Sequence, residues 1–222
     1  MIRLLNVKKY YGTWTHVICA VDGVSLTLTK GEFAIITGRS GSGKSTLLNL
    51  MCGMTRPDEG AIRITGIDIL AIPDHELSKF RAHNIGLVFQ FQSMLSMYNA
   101  LENVCLPGIF RGDSRDAKSR ERAEDLLESV GLKSRADAYV HELSAGQQRR
   151  VGIARALFNS PCLLLCDEPT GDLDRETEKI IMVILSEANK KGTTVVMTTH
   201  NLDLRAYASK TFSMENGFIT ED

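Results

Sequence analysis

Long apolar runs are absent from this sequence, which argues against a membrane-spanning helix. The longest of them, such as residues 180–185, fall far short of the roughly 20 residues that such a helix needs. The segment after Met1 also lacks the extended apolar stretch of a signal peptide. We therefore expect no direct insertion into a membrane, so that any action at a membrane would pass through a partner protein.

An excess of one charge is also missing. The chain carries 26 Lys and Arg residues against 27 Asp and Glu residues, which gives a formal net charge of −1 at pH 7. Such a balance creates no overall field that would attract nucleic acid or anionic lipid. The sequence shows no local basic patch either, and no nucleic-acid partner is expected.

Cysteines are few and form no short paired motifs. The five are irregularly spaced, and none belongs to the C-x-x-C clusters of zinc sites. This pattern predicts reduced thiols in a cytoplasmic protein. Cys162 and Cys166 flank three leucines and would share one face of a strand, where they suit core packing.

What the sequence does contain is an alternation of short apolar runs and longer helical patterns. The runs at residues 32–37, 85–89, 162–166 and 194–199 are each followed by a polar or glycine-rich segment. This alternation predicts an α/β fold with a mostly parallel sheet covered by helices. Ligands bind such sheets at the carboxyl ends of the strands, so the functional residues should follow these runs.

Two regions depart from this alternation. Residues up to about 32 and residues 60–69 indicate short strands joined by turns, which predicts a small antiparallel β subdomain beside the main sheet. Residues 91–161 are charged and helical in pattern. We therefore predict a single domain over residues 1–222. Its α/β core comprises residues 1–90 and 162–222, and an α-helical subdomain is inserted at 91–161.

Residues 38–45 match the phosphate-loop pattern G-x-x-x-x-G-K-[S/T] between an apolar run and a helical pattern. The glycines allow backbone N–H groups to turn towards phosphate oxygens, and the helix N-terminus adds partial positive charge. Lys44 should reach the β- and γ-phosphates, and the Ser45 hydroxyl should bind Mg²⁺. The alternative, a turn without a ligand, would leave a buried lysine without an anion. The predicted nucleotide contacts are Gly38, Arg39, Ser40, Gly41, Ser42, Gly43, Lys44, Ser45 and Thr46.

A second motif distinguishes among phosphate-loop proteins. Residues 143–150 read Leu-Ser-Ala-Gly-Gln-Gln-Arg-Arg and precede the pair Asp167-Glu168. At this point the chain resembles the ABC ATPases, whose LSGGQ signature it nearly repeats. Matching motifs follow the family's order over nearly the whole chain. They are Tyr11, residues 38–45, Gln90, residues 143–147, Asp167-Glu168, residues 171–174 and His200.

The resemblance implies a P-loop NTPase fold of the RecA-like type, with ATP and Mg²⁺ as cofactors and ATP hydrolysis as the activity. It also implies a homodimer that forms on ATP binding and drives a separate integral membrane permease from the cytoplasmic face of the membrane. Residues 89–91, 100–104 and 169–174 are similar to the lipoprotein-releasing and macrolide-export branch, LolD-like and MacB-like. This branch implies export, lipoprotein release or mechanotransmission.

The signature predicts a second anion site. Ser144 and the backbone N–H groups of a helix start can bind phosphate, but the chain already has a phosphate loop. This site should therefore serve the ATP of another copy. Gly146 and Gln147 belong to the same site, and a plain helix cap is the alternative for Ser144. Ala145 replaces the family's first signature glycine, and our hypothesis is that dimer closure survives with slower turnover.

Residues at strand ends supply the predicted chemistry. Asp167 and Glu168 close an apolar run, and the alternating directions of strand side chains give them different roles. Asp167 should hold Mg²⁺ through water, and Glu168 should orient the attacking water as the general base. Capping or surface charge is the alternative for this pair, although two buried acids are costly without a cation. His200 resembles the family's switch histidine, expected to hydrogen-bond the γ-phosphate.

Three assignments rest on the resemblance, and for each of them a second interpretation remains open. Gln90 resembles the glutamine that joins the metal site, as a Mg²⁺ ligand, to the helical subdomain, and Gln92 is the other candidate. Tyr11 resembles the aromatic residue that stacks on adenine, with Tyr10 as a substitute. Asp174 resembles a loop aspartate that crosses the dimer interface, and it could equally cap the next helix.

The resemblance also implies a groove for the permease beside Gln90. It would include Met94, Leu95, Met97, Tyr98 and Leu101, for which core packing is the alternative. Two other classes suit the sequence less well. An ABC ATPase acting on nucleic acid or ribosomes would carry two ATPase units or a long coiled-coil insertion, and a small-molecule kinase would have no use for residues 143–147.

Overall fold

A computed structural model describes residues 1–13, 16–89, 94–112 and 117–222 of the chain. Gln90 and Gln92 therefore lie outside the described residues. The strands are β1 Ile2–Thr13, β2 His16–Leu28, β3 Phe33–Thr37, β4 Glu59–Ile64, β5 Ile67–Asp68, β6 Ile85–Val88, β7 Leu163–Asp167, β8 Thr194–Thr199, β9 Lys210–Glu215 and β10 Phe218–Glu221. The helices are α1 Lys44–Met51, α2 Asp74–Asn84, α3 Ala100–Arg111, α4 Ala117–Ser129, α5 Ala145–Leu157 and α6 Arg175–Lys190, with short 3₁₀ turns at Lys133–Arg135, Val140–Glu142 and Leu202–Tyr207.

The main sheet has the strand order β10-β9-β3-β8-β7-β6 in the described part of the chain. Its strands run parallel except for β10, which pairs antiparallel with β9. Strands β3 and β8 are buried along their whole length, which is why they read as continuous apolar or threonine-containing runs rather than alternating ones. The predicted mostly parallel α/β fold is confirmed.

A second sheet, in the order β2-β1-β4-β5, is antiparallel throughout, as predicted. Its apolar face packs with α1 and one face of the main sheet in a single cluster that includes Leu4, Ile36 and Leu47. The backbone N–H of Asp22 donates to the Gly217 carbonyl at 2.9 Å, which links β2 directly to the β9–β10 turn. The antiparallel sheet thereby forms one wall beside the carboxyl ends of the parallel strands.

Helices α3, α4 and α5 lie between β6 and β7 in the chain. Their buried residues, such as Val104, Leu127 and Val151, join Ile35 and the opposite face of the main sheet in one core cluster. Helix α3 begins with a reciprocal cap between Asn99 and Glu102, which satisfies two N–H groups that the helix cannot pair itself. The division of the chain at residues 90 and 162 into a core and a helical subdomain stays a prediction.

The two cysteines predicted for the core differ in their surroundings. Cys166 lies in β7 and is fully buried, and this burial raises the pKa of its thiol, which makes it unreactive. Cys162 lies just before β7 and is only half-buried. The prediction of a shared core position is therefore right for Cys166 and wrong for Cys162, because the strand begins one residue later than the apolar run.

Candidate functional site

The loop between β3 and α1 is held in place by two close backbone approaches. A Cβ at Gly38 would lie 2.3 Å from the Met214 carbonyl oxygen, and one at Gly43 would lie 2.1 Å from the Ala20 carbonyl oxygen. Gly43 also has a φ of 105° and directly precedes α1, a backbone conformation that favours glycine. Both glycines are thus required by contacts with β2 and β9, and the loop is fixed at the start of α1.

Lys44 is the first residue of α1 and is 6% exposed. Its Nζ donates to the carbonyl oxygens of Gly38 at 2.8 Å and Arg39 at 3.1 Å, and lies 3.4 Å from Oε1 of Glu168. A buried ammonium is stable only with such partners. Lys44 is buried, as the sequence argument assumed, but it does not lack an anion without a ligand, because Glu168, the predicted general base, supplies one.

Glu168 directly follows β7 with a φ of 46°, and is 8% exposed. A non-glycine residue in this left-handed region costs about 1–2 kcal/mol. Its backbone N–H compensates by donating to both the carbonyl oxygen and the hydroxyl of Thr198, each at 3.2 Å. Oε2 lies 3.0 Å from Nδ1 of the exposed His200. The carboxylate therefore connects the buried lysine with the predicted switch histidine.

Asp167, the last residue of β7, faces a different environment. Its Oδ1 accepts a hydrogen bond from the Thr198 hydroxyl at 2.7 Å, and the side chain makes no ion pair among the residues that the structure describes. The two acids do have different surroundings, as predicted, but the alternation of strand side chains is not the cause, because Glu168 lies beyond β7 with a φ of 46°. Asp167 is thus left with oxygen lone pairs that no cation among the described residues engages.

Lys44, Glu168 and His200 meet at a cleft of about 490 Å³ formed by the loop, β2 and the segment after β7, whereas Asp167 does not line it. Eight of the predicted site residues line it: Ser40, Gly41, Gly43, Lys44, Ser45, Thr46, Glu168 and His200. A second cleft, of about 670 Å³, shares Ser40, Gly41 and His200 with the first and is also lined by the remaining loop residues Gly38, Arg39 and Ser42. The buried Ser42 hydroxyl has no hydrogen-bond partner among the described residues.

The donor set suits Mg²⁺. Among the described residues, no group of three or more His, Cys, Asp and Glu side chains could hold a metal. Mg²⁺ does not need one, since it keeps several waters and takes one or two protein oxygens together with substrate phosphates. The exposed Ser45 hydroxyl lines the cleft next to Lys44. The Asp167 carboxylate, which does not line the cleft, supplies a second oxygen of this kind at the end of β7.

Tyr11, the residue predicted to stack on adenine, lies outside both clefts. Tyr11 is 45% exposed on β1, its ring contacts the Lys9 ammonium at 5.5 Å, and it does not line either cleft. The wall of the cleft consists instead of Ile18, Cys19 and Ala20 on β2. Sequence reasoning missed this wall, because only the register of the β1–β2 hairpin, which pairs Tyr11 with Ile18, reveals which strand faces the loop.

The signature residues begin helix α5 and lie apart from both clefts. Ser144 and Gln147 form a reciprocal cap: the serine hydroxyl accepts from the Gln147 N–H at 3.3 Å, and the Ser144 N–H donates to the Gln147 side chain at 2.9 Å. A Cβ at Gly146 would lie 2.6 Å from the Thr177 methyl group, so α5 and α6 start side by side. The capping alternative for Ser144 is present in the structure.

Asp174 is likewise the N-cap of its helix, α6. Its carboxylate accepts from the backbone N–H groups of Glu176 at 3.0 Å and Thr177 at 2.9 Å. The hydrogen bond from the Thr177 N–H, followed by that from its hydroxyl, lowers the pKa of Asp174. The capping alternative for this residue is therefore also present, and a role at the dimer interface stays a prediction.

Arg149 is a buried residue that sequence reasoning did not select. Its guanidinium donates to the Phe89 carbonyl at 2.8 Å, and burial lowers its pKa despite the field of Asp172. Helix α5 is thereby tied to the backbone immediately before Gln90. Arg149 lies two residues after Gln147 in a charged stretch, and such a stretch predicts an exposed helix face rather than a buried one.

The five apolar residues predicted for a permease groove divide between core and surface. Leu101 is buried in the core, whereas Leu95 and Met97 are 45% and 73% exposed. The fully buried Asn103 holds this segment in place, since its side-chain amide donates to the carbonyls of Leu95 and Tyr98 at 3.1 Å. A fixed, partly apolar surface results.

Comparison with known proteins gives a consistent result. A family model described as "ABC transporter" matches residues 21–171. The lipoprotein-releasing system ATP-binding protein LolD of Geobacter metallireducens is 40% identical, over all of this chain and 99% of its own length. The macrolide export ATP-binding/permease protein MacB of Rhodopirellula baltica is also 40% identical over the whole chain, which spans only 33% of that protein.

Solved structures agree with this match. The dimeric structure of an ATP-binding cassette in a post-hydrolysis state, bound to ADP and Pi, superimposes with a TM-score of 0.93 at 39% identity. The match covers 100% of this chain and 98% of the other. In the part of the chain that the structure describes, no helix has the length and apolar character needed to cross a bilayer.

Proposed function

Because this chain belongs to the ABC transporter family, we propose that it binds and hydrolyses ATP as the energising subunit of a transporter. The observation that carries the proposal is the buried Lys44 ammonium, 3.4 Å from Glu168, whose other oxygen lies 3.0 Å from His200. A cation, a carboxylate and an imidazole thus meet in one cleft beside a phosphate loop. This set provides phosphate binding, proton acceptance and a sensor of the γ-phosphate.

Each residue has a defined task in this proposal. The loop N–H groups and Lys44 bind the β- and γ-phosphates, and the γ-phosphate takes over from Glu168 as the partner of Lys44. The released Glu168 accepts a proton from water as the water oxygen attacks the γ-phosphorus and the bond to the β–γ bridging oxygen breaks. His200 keeps the carboxylate oriented. Ser45, Asp167 and Gln90 would hold Mg²⁺, which when bound would supply positive charge against the phosphates.

The proposal further requires two copies of the chain. Ser144 lies outside the cleft that contains Lys44, so a single chain cannot place both on one nucleotide. Capping uses only a lone pair of the Ser144 oxygen and leaves its O–H free to donate to a γ-phosphate. Gly146, Gln147 and Asp174 would border the same nucleotide, and Tyr11, which does not line the cleft but pairs with the wall residue Ile18, would stack on adenine. The structural relative in the post-hydrolysis state is dimeric.

The transmitting surface is proposed to be the exposed part of the segment before α3. Leu95 and Met97 present apolar area on a loop fixed by Asn103, a suitable contact for a coupling segment of an integral membrane permease. In this proposal residues 91–161 act as the helical signature subdomain, and the chain works peripherally at the cytoplasmic face of the membrane. The process that the chain would energise is export, lipoprotein release or mechanotransmission.

The test is phosphate release from Mg-ATP by the purified chain, with no acceptor present. We expect steady release, and a loss of about 10²- to 10³-fold in Glu168→Gln, with binding of a fluorescent ATP analogue retained. Phosphate release that depends on an added hydroxylated acceptor would identify a kinase instead. A chain that fails to bind ATP would contradict the proposal outright.

A further inference from the structure

Thr198 on β8 touches both acidic residues of the site through one side chain. Its hydroxyl donates to Oδ1 of Asp167 at 2.7 Å and accepts from the backbone N–H of Glu168 at 3.2 Å. The residue is 0% exposed, so water does not compete for these bonds. Both the donor and an acceptor lone pair of the hydroxyl are therefore used within the site.

Core packing does not account for a hydroxyl at this position. Thr198 pairs with Asp167 on one side and with Ile36 on the other, and the residues before it on β8 include the buried Val195 and Val196. Valine has the same shape as threonine and carries no polar atom that must be paired. The carboxylate of Asp167 is what makes a hydroxyl favourable here, because a hydrogen bond to an ionised acceptor is about twice as strong as a neutral one.

The geometry assigns Thr198 as a positioning residue for ATP hydrolysis, and this inference rests on the proposed function. One bond fixes the direction of the Asp167 carboxylate that would hold Mg²⁺. The other supports the backbone of Glu168 at its φ of 46°, which directs that side chain towards Lys44 and His200. Without the hydroxyl, Asp167 loses its donor, whereas the Glu168 N–H keeps only the Thr198 carbonyl.

The experiment compares Thr198→Val with Thr194→Val. Thr194 is a matched control, since it is also 0% exposed on β8 and its hydroxyl accepts one hydrogen bond, from the Gly31 N–H at 3.0 Å, at the far end of the strand. We expect Thr198→Val to lower kcat about 10- to 100-fold, the usual effect of removing a group that orients a metal ligand. The KM for ATP should change far less, and Thr194→Val should leave kcat unchanged.

A second readout does not depend on turnover. Binding of Mn²⁺ in the presence of ADP, followed by electron paramagnetic resonance, should weaken about 10-fold in Thr198→Val and stay as in the wild type in Thr194→Val. If Thr198→Val does not fold, Thr198→Ser and Thr198→Ala replace it. Both lack the methyl group and differ only in the hydroxyl, so serine should restore kcat and Mn²⁺ binding and alanine should not.

The outcomes separate this inference from the proposed function. Equal kcat and equal Mn²⁺ affinity in the serine and alanine variants, or in Thr198→Val and Thr194→Val, would overturn the positioning role while wild-type ATP hydrolysis persists. A wild-type chain that releases no phosphate from Mg-ATP would instead refute the proposed function. A loss shared equally by Thr198→Val and Thr194→Val would reveal a general cost of removing buried hydroxyls, and would also overturn the assignment.

Discussion

The phosphate loop and the start of α5 are both helix N-termini that can bind anions, yet they differ in burial and in the partners of their polar side chains. At the loop, Lys44 is buried and its ammonium is surrounded by carbonyls and Glu168. At α5, Ser144 is exposed, and its hydroxyl oxygen accepts a hydrogen bond from the Gln147 N–H as the helix cap. The loop site is therefore assembled within one chain, whereas the exposed Ser144 hydroxyl is available to a group on another molecule. This difference is what two copies sharing each ATP would require.

The largest expected effect comes from breaking the buried site. Lys44→Ala removes the only lysine among the described residues that line the cleft and leaves Glu168 buried without its cation. We predict that ATP binding falls below detection and that turnover drops by at least about 10²-fold, measured by fluorescent-nucleotide titration and phosphate release. Lys30→Ala, at an exposed lysine on the opposite side of the protein, is the control. Turnover within about threefold of wild type in Lys44→Ala, a small change by the usual standard, would contradict the account.

The next effect separates the two possible roles of Ser144. Ser144→Asp preserves the cap, because aspartate and serine cap helices about equally well. It also places a carboxylate where the γ-phosphate of the second copy would lie, so turnover should fall at least about 10-fold with an unchanged melting temperature. Ser144→Ala instead loses about 1 kcal/mol of stability with the cap.

Differential scanning fluorimetry and phosphate release distinguish these variants. If Ser144→Asp hydrolyses ATP at the wild-type rate, the serine is a cap and nothing more. ATP binding by the single chain should be the same in both variants, because Ser144 does not line the cleft that contains Lys44.

A smaller effect is expected at Ala145, the first residue of α5. Ala145→Gly should raise ATP turnover by less than about tenfold, which corresponds to about 1.4 kcal/mol, because the backbone can approach the partner's phosphate more closely. The helix should lose up to about 0.5–1 kcal/mol. Ala117→Gly, at the first residue of α4, controls for that loss. A fall in turnover would refute the hypothesis that the alanine slows hydrolysis.

The smallest effect concerns pH. The pKa of Asp174 is lowered by the hydrogen bond from the Thr177 N–H, so the folded state favours the carboxylate. This contribution is complete above the pKa of the unfolded chain and is lost as pH falls through the folded pKa. Asp174→Asn should therefore show a shallower decrease of Tm between neutral pH and about pH 3. Parallel Tm curves for the two proteins would contradict the assignment of this cap.

Local sequence predicted the elements whose pattern is set by burial. Buried parallel strands such as β3 and β8 appear as short apolar runs, and the loop from Gly38 to Ser45 has a fixed pattern between strand and helix. Their prediction needs no distant contact. The same reasoning located Asp167 and Glu168 at a strand end.

Features that depend on contacts between residues far apart in the chain could not be predicted from local sequence. The positive φ of Glu168 is supported by Thr198, 30 residues away, and the cleft wall at Ile18 depends on the register of a hairpin. Tyr11 was placed by resemblance alone and lies outside that wall. Cys162 was assigned to the core because an apolar run does not mark where strand pairing begins.

The sharing of ATP between two chains is tested most directly by the mass of Glu168→Gln in sedimentation equilibrium, with and without excess Mg-ATP. Without hydrolysis, the γ-phosphate should keep Lys44 of one copy and Ser144 of the other together, so we predict a monomer without nucleotide and a dimer with it. Adding Ser144→Asp to this variant should return it to a monomer. A Glu168→Gln chain that binds Mg-ATP and remains monomeric at high concentration would contradict the account.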